Sequence, residues 1–350
     1  MRRASEPCTE SDATGFDDGG LGSSNGRPGS SELVSSSRRR RAVMACGRAG
    51  EGERQECSGA NGTDAASYTM SFRLKCPSPG SSAPADVQQL PFAEECCRLL
   101  GLNGFVVLDG VLPVSMIHRL ESSFLESFSQ DCSPEAFLLR EDVFQVGNLR
   151  WMVTLPMAGP FAATCVYANQ WIYPLARKAL GDCMVIDSFG LVLSFPGSKQ
   201  QHLHRDSTRL FKSGLDAFLP AHALTVAIPL VSMDEEHGST AFYPQSHRQL
   251  DSATDEGSPY VPDVPVGSCL VWDFRTRHGG TPNRSTRVRP LLTFTYAREW
   301  WYDIDNYKDG KQSKILISDQ DRGRVPEEHR HLFARLMGRH SSAGDHLPPG

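Results

Sequence analysis

The chain has 350 residues, a formal net charge of −5 and an isoelectric point near 6.1. That balance argues against nucleic-acid or anionic-membrane binding as the main activity. Hydrophobic residues make up 39% of the chain, below the usual globular share, so part of it is expected not to fold.

Residues 1 to about 85 are rich in Gly, Ser, Arg and acidic side chains and poor in large apolar ones. Such a segment cannot bury enough surface to offset its ordering entropy and reads as a disordered arm. Within it, Ser35–Val43 ("SSSRRRRAV") is either a solvated basic run or a nuclear-import or phosphorylation signal. The first residues carry charge but no apolar core, so no secretory signal is expected. Glu6, Glu10, Asp12, Asp17 and Asp18 count against a transit peptide. No run of about 18 apolar residues exists, and no membrane partner is expected. The ten cysteines form no CxxC pair, which suits reduced thiols and a cytoplasmic setting better than a disulfide scaffold.

An ordered domain is expected over 86–338, with its β core at about 183–300, followed by a disordered tail at 339–350. "FAEECCRLLGLNG" reads as an amphipathic helix with Phe92, Cys96, Leu99 and Leu100 on one face. "FVVLDGVL" has strand composition. "PVSMIHRLESSFLESF" returns to helical spacing, with Ile117, Leu120, Phe124 and Phe128 as its core stripe. A further helix is predicted across "FAATCVYANQWIYPLARKALG", ending at Gly181. From Cys183 onward come short β-branched or aromatic runs: "CMVIDSFGLVLSF", "ALTVAIPLVSM", "STAFYPQS", "GSCLVWDF" and "RPLLTFTYAREW". Strands at short spacing without helices between them imply an antiparallel sandwich or barrel. "VPEEHRHLFARLMG" is predicted as a final helix, with Val325, His329, Leu332 and Leu336 along one side.

The stretch "QHLHRDS" contains the one His-x-Asp of the chain, His204 and Asp206. Alone the pattern is weak. It follows a strand-like run and a turn, however, and in extended backbone residues i and i+2 project to the same side. The third ligand a metal would need is His278 in "VWDFRTRHGG", at the end of another apolar strand. Two imidazoles and one carboxylate leave positions open, the arrangement of non-haem Fe(II) oxygenases. Of the arginines just downstream, Arg284 and Arg287 read as surface residues. Arg289, opening an apolar strand, is the candidate to face inward and meet a carboxylate.

At this point the sequence resembles the phytanoyl-CoA dioxygenase family of Fe(II)/2-oxoglutarate oxygenases, from about Gly101 to Met337. The resemblance rests on "GFVVLDGVLPVSMIHRL", "LSFPGSKQQHLHRDS", "IPLVSMDEEHGSTAFYPQSHR", "HGGTPNRSTRVRP", "YAREWWYDIDNY" and "VPEEHRHLFARL" in that order and spacing. It implies a mainly β fold with flanking helices, a double-stranded β-helix or cupin-like jelly-roll barrel. It implies His204, Asp206 and His278 as iron ligands and Arg289 as partner of the distal carboxylate of 2-oxoglutarate. It implies O2 as co-reactant, ascorbate as an optional reductant, and oxidation of a small organic substrate with release of succinate and CO2. The departures are His237 for asparagine, Gln245 for the glycine of the Pro-Gly-Ser-His corner, Leu203 for tryptophan, and Gly280 for a serine that holds 2-oxoglutarate in some members.

Further site candidates are each double-edged. Gln201 is either a contact of cosubstrate or substrate, or a turn residue. Thr225 either faces 2-oxoglutarate or is structural, and Thr281 is a candidate to replace the missing serine. His247, Arg248 and "EWWYD" (Glu299–Asp303) either line the pocket or do not. Trp272 reads as core, and Asp273 and Arg275 as strand-end partners. Two rival readings stand beside the main one: a cupin-type dioxygenase without 2-oxoglutarate, which Arg289 speaks against, and a catalytically idle binding module, which the three retained ligands speak against.

Overall fold

A computed structural model describes residues 71–77, 85–128, 132–140, 142–211, 214–249, 258–304, 306–307 and 313–337. The expected unfolded arm up to residue 70, with its basic run, and the tail from residue 339 lie outside the described residues.

The first half of the fold runs β1 (Arg73–Lys75), α1 (Ala85–Asn103), β2 (Phe105–Asp109), α2 (Val114–Phe128), α3 (Pro134–Leu138), β3 (Val143–Gly147), β4 (Arg150–Thr154), α4 (Thr164–Tyr167) and α5 (Ile172–Leu180). The second half runs β5 (Val185–Ser194), β6 (Ala223–Pro229), β7 (Thr240–Phe242), β8 (Cys269–Asp273), β9 (His278–Gly280), β10 (Arg289–Ala297), α6 (Asp319–Gly323) and α7 (Ala334–Met337). The main sheet has the order β1-β2-β8-β6-β10-β5-β4-β3, antiparallel except for the parallel β1/β2 pair.

Facing it is a smaller sheet of β7 and β9, widened by single bridges from His204 to His278 and from Tyr260 to Phe242. From β5 on, the chain passes repeatedly between the two sheets: β5, His204, β6, β7, Tyr260, β8, β9, β10. This is the double-stranded β-helix that the strand runs and the resemblance foretold.

The central strands β6 and β8 are buried at every position, and the face their side chains take alternates with the strand period of two. On β6, Leu224, Val226 and Ile228 join the cluster beneath the helices, with Leu99 of α1, Ile117 of α2 and Leu175 of α5. Thr225 and Ala227 face the barrel. Cys269 and Val271 of β8 point to the helices, while Leu270 and Trp272 point inward beside Phe105, Val107 and Phe242. Strands covered on both faces read as continuous apolar runs rather than alternating ones. The α2 stripe of Ile117, Leu120, Phe124 and Phe128 is buried, as its spacing predicts.

Four features depart from the sequence reading. Part of the supposed arm folds: β1 pairs with β2, Phe72 stacks on Phe105 at 5.2 Å, and Arg73 bonds Asp109 at 2.8 Å. Three residues of strand in polar surroundings leave no compositional mark. The helix expected up to Gly181 is broken into α4 and α5. The Asn169 side chain sits at the break, donating to Val111 O (2.9 Å) and Cys165 O (3.0 Å) and accepting from the Trp171 and Ile172 N–H groups. The final helix is mostly a 3-10 turn (Glu327–Phe333) before α7. The β3–β4 hairpin, which carries no motif, extends the sheet beyond the predicted β core.

Candidate metal centre and cavity

One backbone pairing sets the geometry. His204 and His278 each donate an N–H to the other's carbonyl, at 3.0 and 2.9 Å. Residues opposed in this way present their side chains on the same face, and the two imidazole centroids lie 4.6 Å apart. Asp206, two residues on, shares that face. One ligand atom from each of the three residues lies within 4.8 Å of the others. Asp206 Oδ1 is 3.4 Å from His278 Nε2 and 3.8 Å from His204 Nε2.

The surroundings fix which atoms are free. His204 Nδ1 lies 3.0 Å from the His202 carbonyl, and His278 Nδ1 lies 2.9 Å from the Thr276 carbonyl. Each Nδ1 therefore acts as the donor, and each Nε2 keeps its lone pair for the centre of the group. Burial, reinforced by the neighbouring His278, holds His204 below the usual histidine range and so in its neutral form. On Asp206, Oδ2 accepts from Thr225 Oγ1 at 2.9 Å and from Trp272 Nε1 at 2.8 Å, leaving Oδ1 toward the histidines. Two imidazole nitrogens and one carboxylate oxygen converging in this way fit Fe(II).

The three side chains open into a cavity of about 140 Å³. Alternate residues line it: Arg289, Leu291, Thr293 and Thr295 on β10, Ser188, Gly190 and Val192 on β5, Arg150 and Met152 on β4. Arg289 is 1% exposed; its NH1 donates to Ser239 O at 3.2 Å, and its Nε has no partner. Arg150, also 1% exposed, donates from NH2 to the Lys199 and Thr281 carbonyls, while its Nε and NH1 have no partner. Burial pushes Arg289 down to about 9, with Arg150 adding to the effect, and burial alone pushes Arg150 down to about 10. Two guanidiniums with unpartnered donors in one cavity call for an anion.

The other predicted residues divide. Gln201 lines the cavity, but its amide is used to tie strands together: Nε2 donates to Val146 O (2.9 Å) and Oε1 accepts from Gly280 N (3.1 Å). Thr225 lines the cavity and directs its hydroxyl to Asp206 rather than outward to a cosubstrate. Thr281 does not line it. Three residues after His278, it falls on the opposite face of β9's alternation and bonds the Ser239 backbone. His247 is buried against Gly101 O, Arg248 is exposed, and neither lines the cavity. In "EWWYD", Trp301 packs on Phe274, Trp300 is exposed, and Asp303 reaches the cavity wall. Asp273 and Arg275 form the expected buried pair at 2.6 Å, and Arg287 lies on the surface against Glu121. Among the described residues, no helix is long and apolar enough to cross a membrane.

The phytanoyl-CoA dioxygenase (PhyH) family model matches residues 101–291, more than half of the chain and all four of His204, Asp206, His278 and Arg289. The chain belongs to the phytanoyl-CoA dioxygenase family. Among curated relatives it is 26% identical to dioxygenase af480 of Aspergillus fumigatus over 134 residues, 37% of this chain and 42% of that protein. It is 34% identical to dioxygenase aneA of Aspergillus aculeatus over 97 residues, 26% of this chain and 32% of that protein. The matched stretches thus span less than half of either relative. Two solved structures are loosely similar: AviO1 of Streptomyces viridochromogenes (TM-score 0.48, 21% identity, 60% of this chain and 97% of that one) and HygX of Streptomyces hygroscopicus with nickel and 2-oxoglutarate bound (TM-score 0.45, 16% identity, 59% and 88%).

Against the phytanoyl-CoA dioxygenase pattern, Gly280 stands where some members have a serine. A Cβ at Gly280 would sit 2.5 Å from Arg150 NH1, so the arginine occupies the space a side chain there would take. Sequence reasoning passed over Arg150. Its one mark in the sequence is that it opens the apolar run "RWMVT" directly after a turn.

Proposed function

We propose that this chain is an Fe(II)- and 2-oxoglutarate-dependent dioxygenase acting on a small organic molecule. The observation that carries the reading is the pair of buried arginines. Arg289 and Arg150 hold unpartnered N–H donors in the cavity that the His204, Asp206 and His278 ligand atoms share, and no carboxylate among the described residues is bonded to either. A dicarboxylate that chelates a metal with one end and meets a guanidinium with the other suits that pairing of features.

His204 Nε2, His278 Nε2 and Asp206 Oδ1 would hold Fe(II). Arg289, joined by Arg150, would hold the distal carboxylate of 2-oxoglutarate. Bound there, the metal with 2-oxoglutarate and O2 supplies oxidising chemistry, the keto acid leaving as succinate and CO2. The chain's own part is orientation and dryness. The His202 and Thr276 carbonyls fix the imidazole tautomers, and the apolar wall of Met152, Val192 and Leu291 keeps water from the reacting groups.

The test is anaerobic addition of Fe(II) and then 2-oxoglutarate to metal-free protein, followed in the visible spectrum, with succinate measured after oxygen is admitted in the presence of metabolite extracts. The expected result is a metal-to-ligand absorption band and succinate formation. In Arg289→Ala, 2-oxoglutarate affinity is expected to fall about 10–100-fold, the worth of a charged hydrogen-bonded pair. Unchanged affinity in that variant, or turnover without consumption of 2-oxoglutarate, overturns the reading.

A further inference from the structure

Trp272 sits on β8 directly opposite Thr225 on β6, and both side chains face the barrel. Their donors meet at one atom, Asp206 Oδ2, at 2.8 and 2.9 Å. The Trp272 indole is also 5.0 Å from the His278 ring, and Phe242 packs 6.0 Å from that ring and 5.6 Å from the indole. One cross-strand pair therefore touches two of the three candidate ligands, and of the two only Thr225 stands among the sequence candidates, as a contact of 2-oxoglutarate rather than of Asp206.

We infer that Trp272 and Thr225 are positioning residues that restrict Asp206 to binding a metal through one oxygen. The inference rests on the proposed metal centre. An indole N–H only donates, and a threonine hydroxyl has a single proton to give. With both directed to Oδ2, that oxygen is engaged, and Oδ1, 3.4 and 3.8 Å from the histidine Nε2 atoms, remains for the metal. Without the two donors the carboxylate can rotate and offer both oxygens. A second carboxylate oxygen takes a coordination position that an incoming bidentate cosubstrate needs. The pair thus does two separable things: it orders the ligand for the metal, and it keeps positions open for what binds next.

The experiment uses the full chain, stripped of metal, and titrates it with Co(II) alone and then with 2-oxoglutarate at saturating Co(II). The variants are Trp272→Phe, which keeps the ring and loses the N–H, Thr225→Val, which keeps the shape and loses the O–H, and Thr225→Ser, which keeps the O–H. Thr225→Val and Trp272→Phe are expected to weaken Co(II) binding about ten-fold each, in the range of ligand-orienting partners. Both are also expected to change the intensity of the visible Co(II) spectrum and to lower 2-oxoglutarate affinity with Co(II) saturated. Thr225→Ser restores wild-type values. If Trp272→Phe fails to fold, the Val and Ser forms at position 225 carry the test, because a packing role moves neither the spectrum nor the rescue by serine. Wild-type constants and spectrum in Thr225→Val overturn the clamp and leave the metal centre standing. Absence of Co(II) binding by the wild type overturns both.

Discussion

At the scale of single residues, the cavity is decided by polar atoms that are left without partners and by those that are not. Gly280 and Arg150 form the clearest pair. The guanidinium lies where a side chain at 280 would be, and its NH1 is one of the unpartnered donors. Gly280→Ser is expected to displace Arg150 and weaken 2-oxoglutarate binding about ten-fold, the worth of one charge-assisted contact. Combining it with Arg150→Ala should cost no more than Arg150→Ala alone, since the displaced group is already gone. A double-mutant cycle on 2-oxoglutarate dissociation constants reads this coupling, and additive losses would separate the two residues. The same residues show what the sequence did and did not reveal. His204 and Asp206 share a face because the i, i+2 spacing of a His-x-Asp fixes their side, and the fold brings His278 and Arg289, foreseen at strand ends, to the same cavity. Arg150 was not foreseen, since its place depends on a hairpin far upstream being laid beside β5. Trp272 was read as core because burial is written in composition, whereas the direction of an indole N–H is not. Thr281, the candidate to stand in for the serine absent at Gly280, bonds the Ser239 backbone instead, because strand alternation puts it on the face away from the cavity.

At the scale of elements, the strand runs were legible because β-branched and aromatic residues crowd into them between turns. The helices were legible only where their apolar stripe was unbroken, as in α2. The segment from Ala163 to Gly181 reads as one helix by its apolar spacing, yet it breaks before Pro174, which is tolerated only in the first turn of α5. Asn169 bonds four backbone groups at the break, in a site only 2% exposed. Asn169→Ala would strand those groups out of water, and a loss of about 3 kcal/mol is expected from denaturant midpoints. A second local prediction concerns the turn after β7. Gln245 sits in the left-handed region (φ 65°) where the family's corner has glycine, and its N–H bonds Asn103 O at 2.8 Å. Gln245→Gly keeps that bond and removes the Cβ clash. After glycine's extra unfolded-state entropy it is expected to stabilise by about 0.5–1 kcal/mol, measured in the same unfolding experiment.

At the scale of the whole molecule, the barrel is wrapped so tightly that two histidines outside the candidate centre are shut from water. His222, 1% exposed, has Ser207 Oγ at 3.2 Å from Nε2 and no partner on Nδ1. His247, 4% exposed, has Nε2 on Gly101 O at 3.2 Å and likewise no partner on Nδ1. Burial pushes each down to about 4; the charges around them, Asp273, Asp216, Arg275 and Arg298 for His222 and Asp273, Arg275 and Arg248 for His247, oppose one another and do not reverse it. Folded values below the unfolded one near 6.5 mean that the unfolded chain takes up protons the folded chain refuses. Their contribution to stability is therefore complete above about pH 6.5 and is lost as pH falls from there toward 4. By pH 5 the loss should be about 2 kcal/mol for each histidine, in a window where carboxylates are still ionised and contribute little to the slope. Urea unfolding of metal-free protein at pH 7.5, 6 and 5 measures it. His222→Gln with His247→Gln should lower stability at pH 7.5 but flatten the decline to pH 5. A decline as steep as that of the wild type would place the acid sensitivity of the barrel elsewhere.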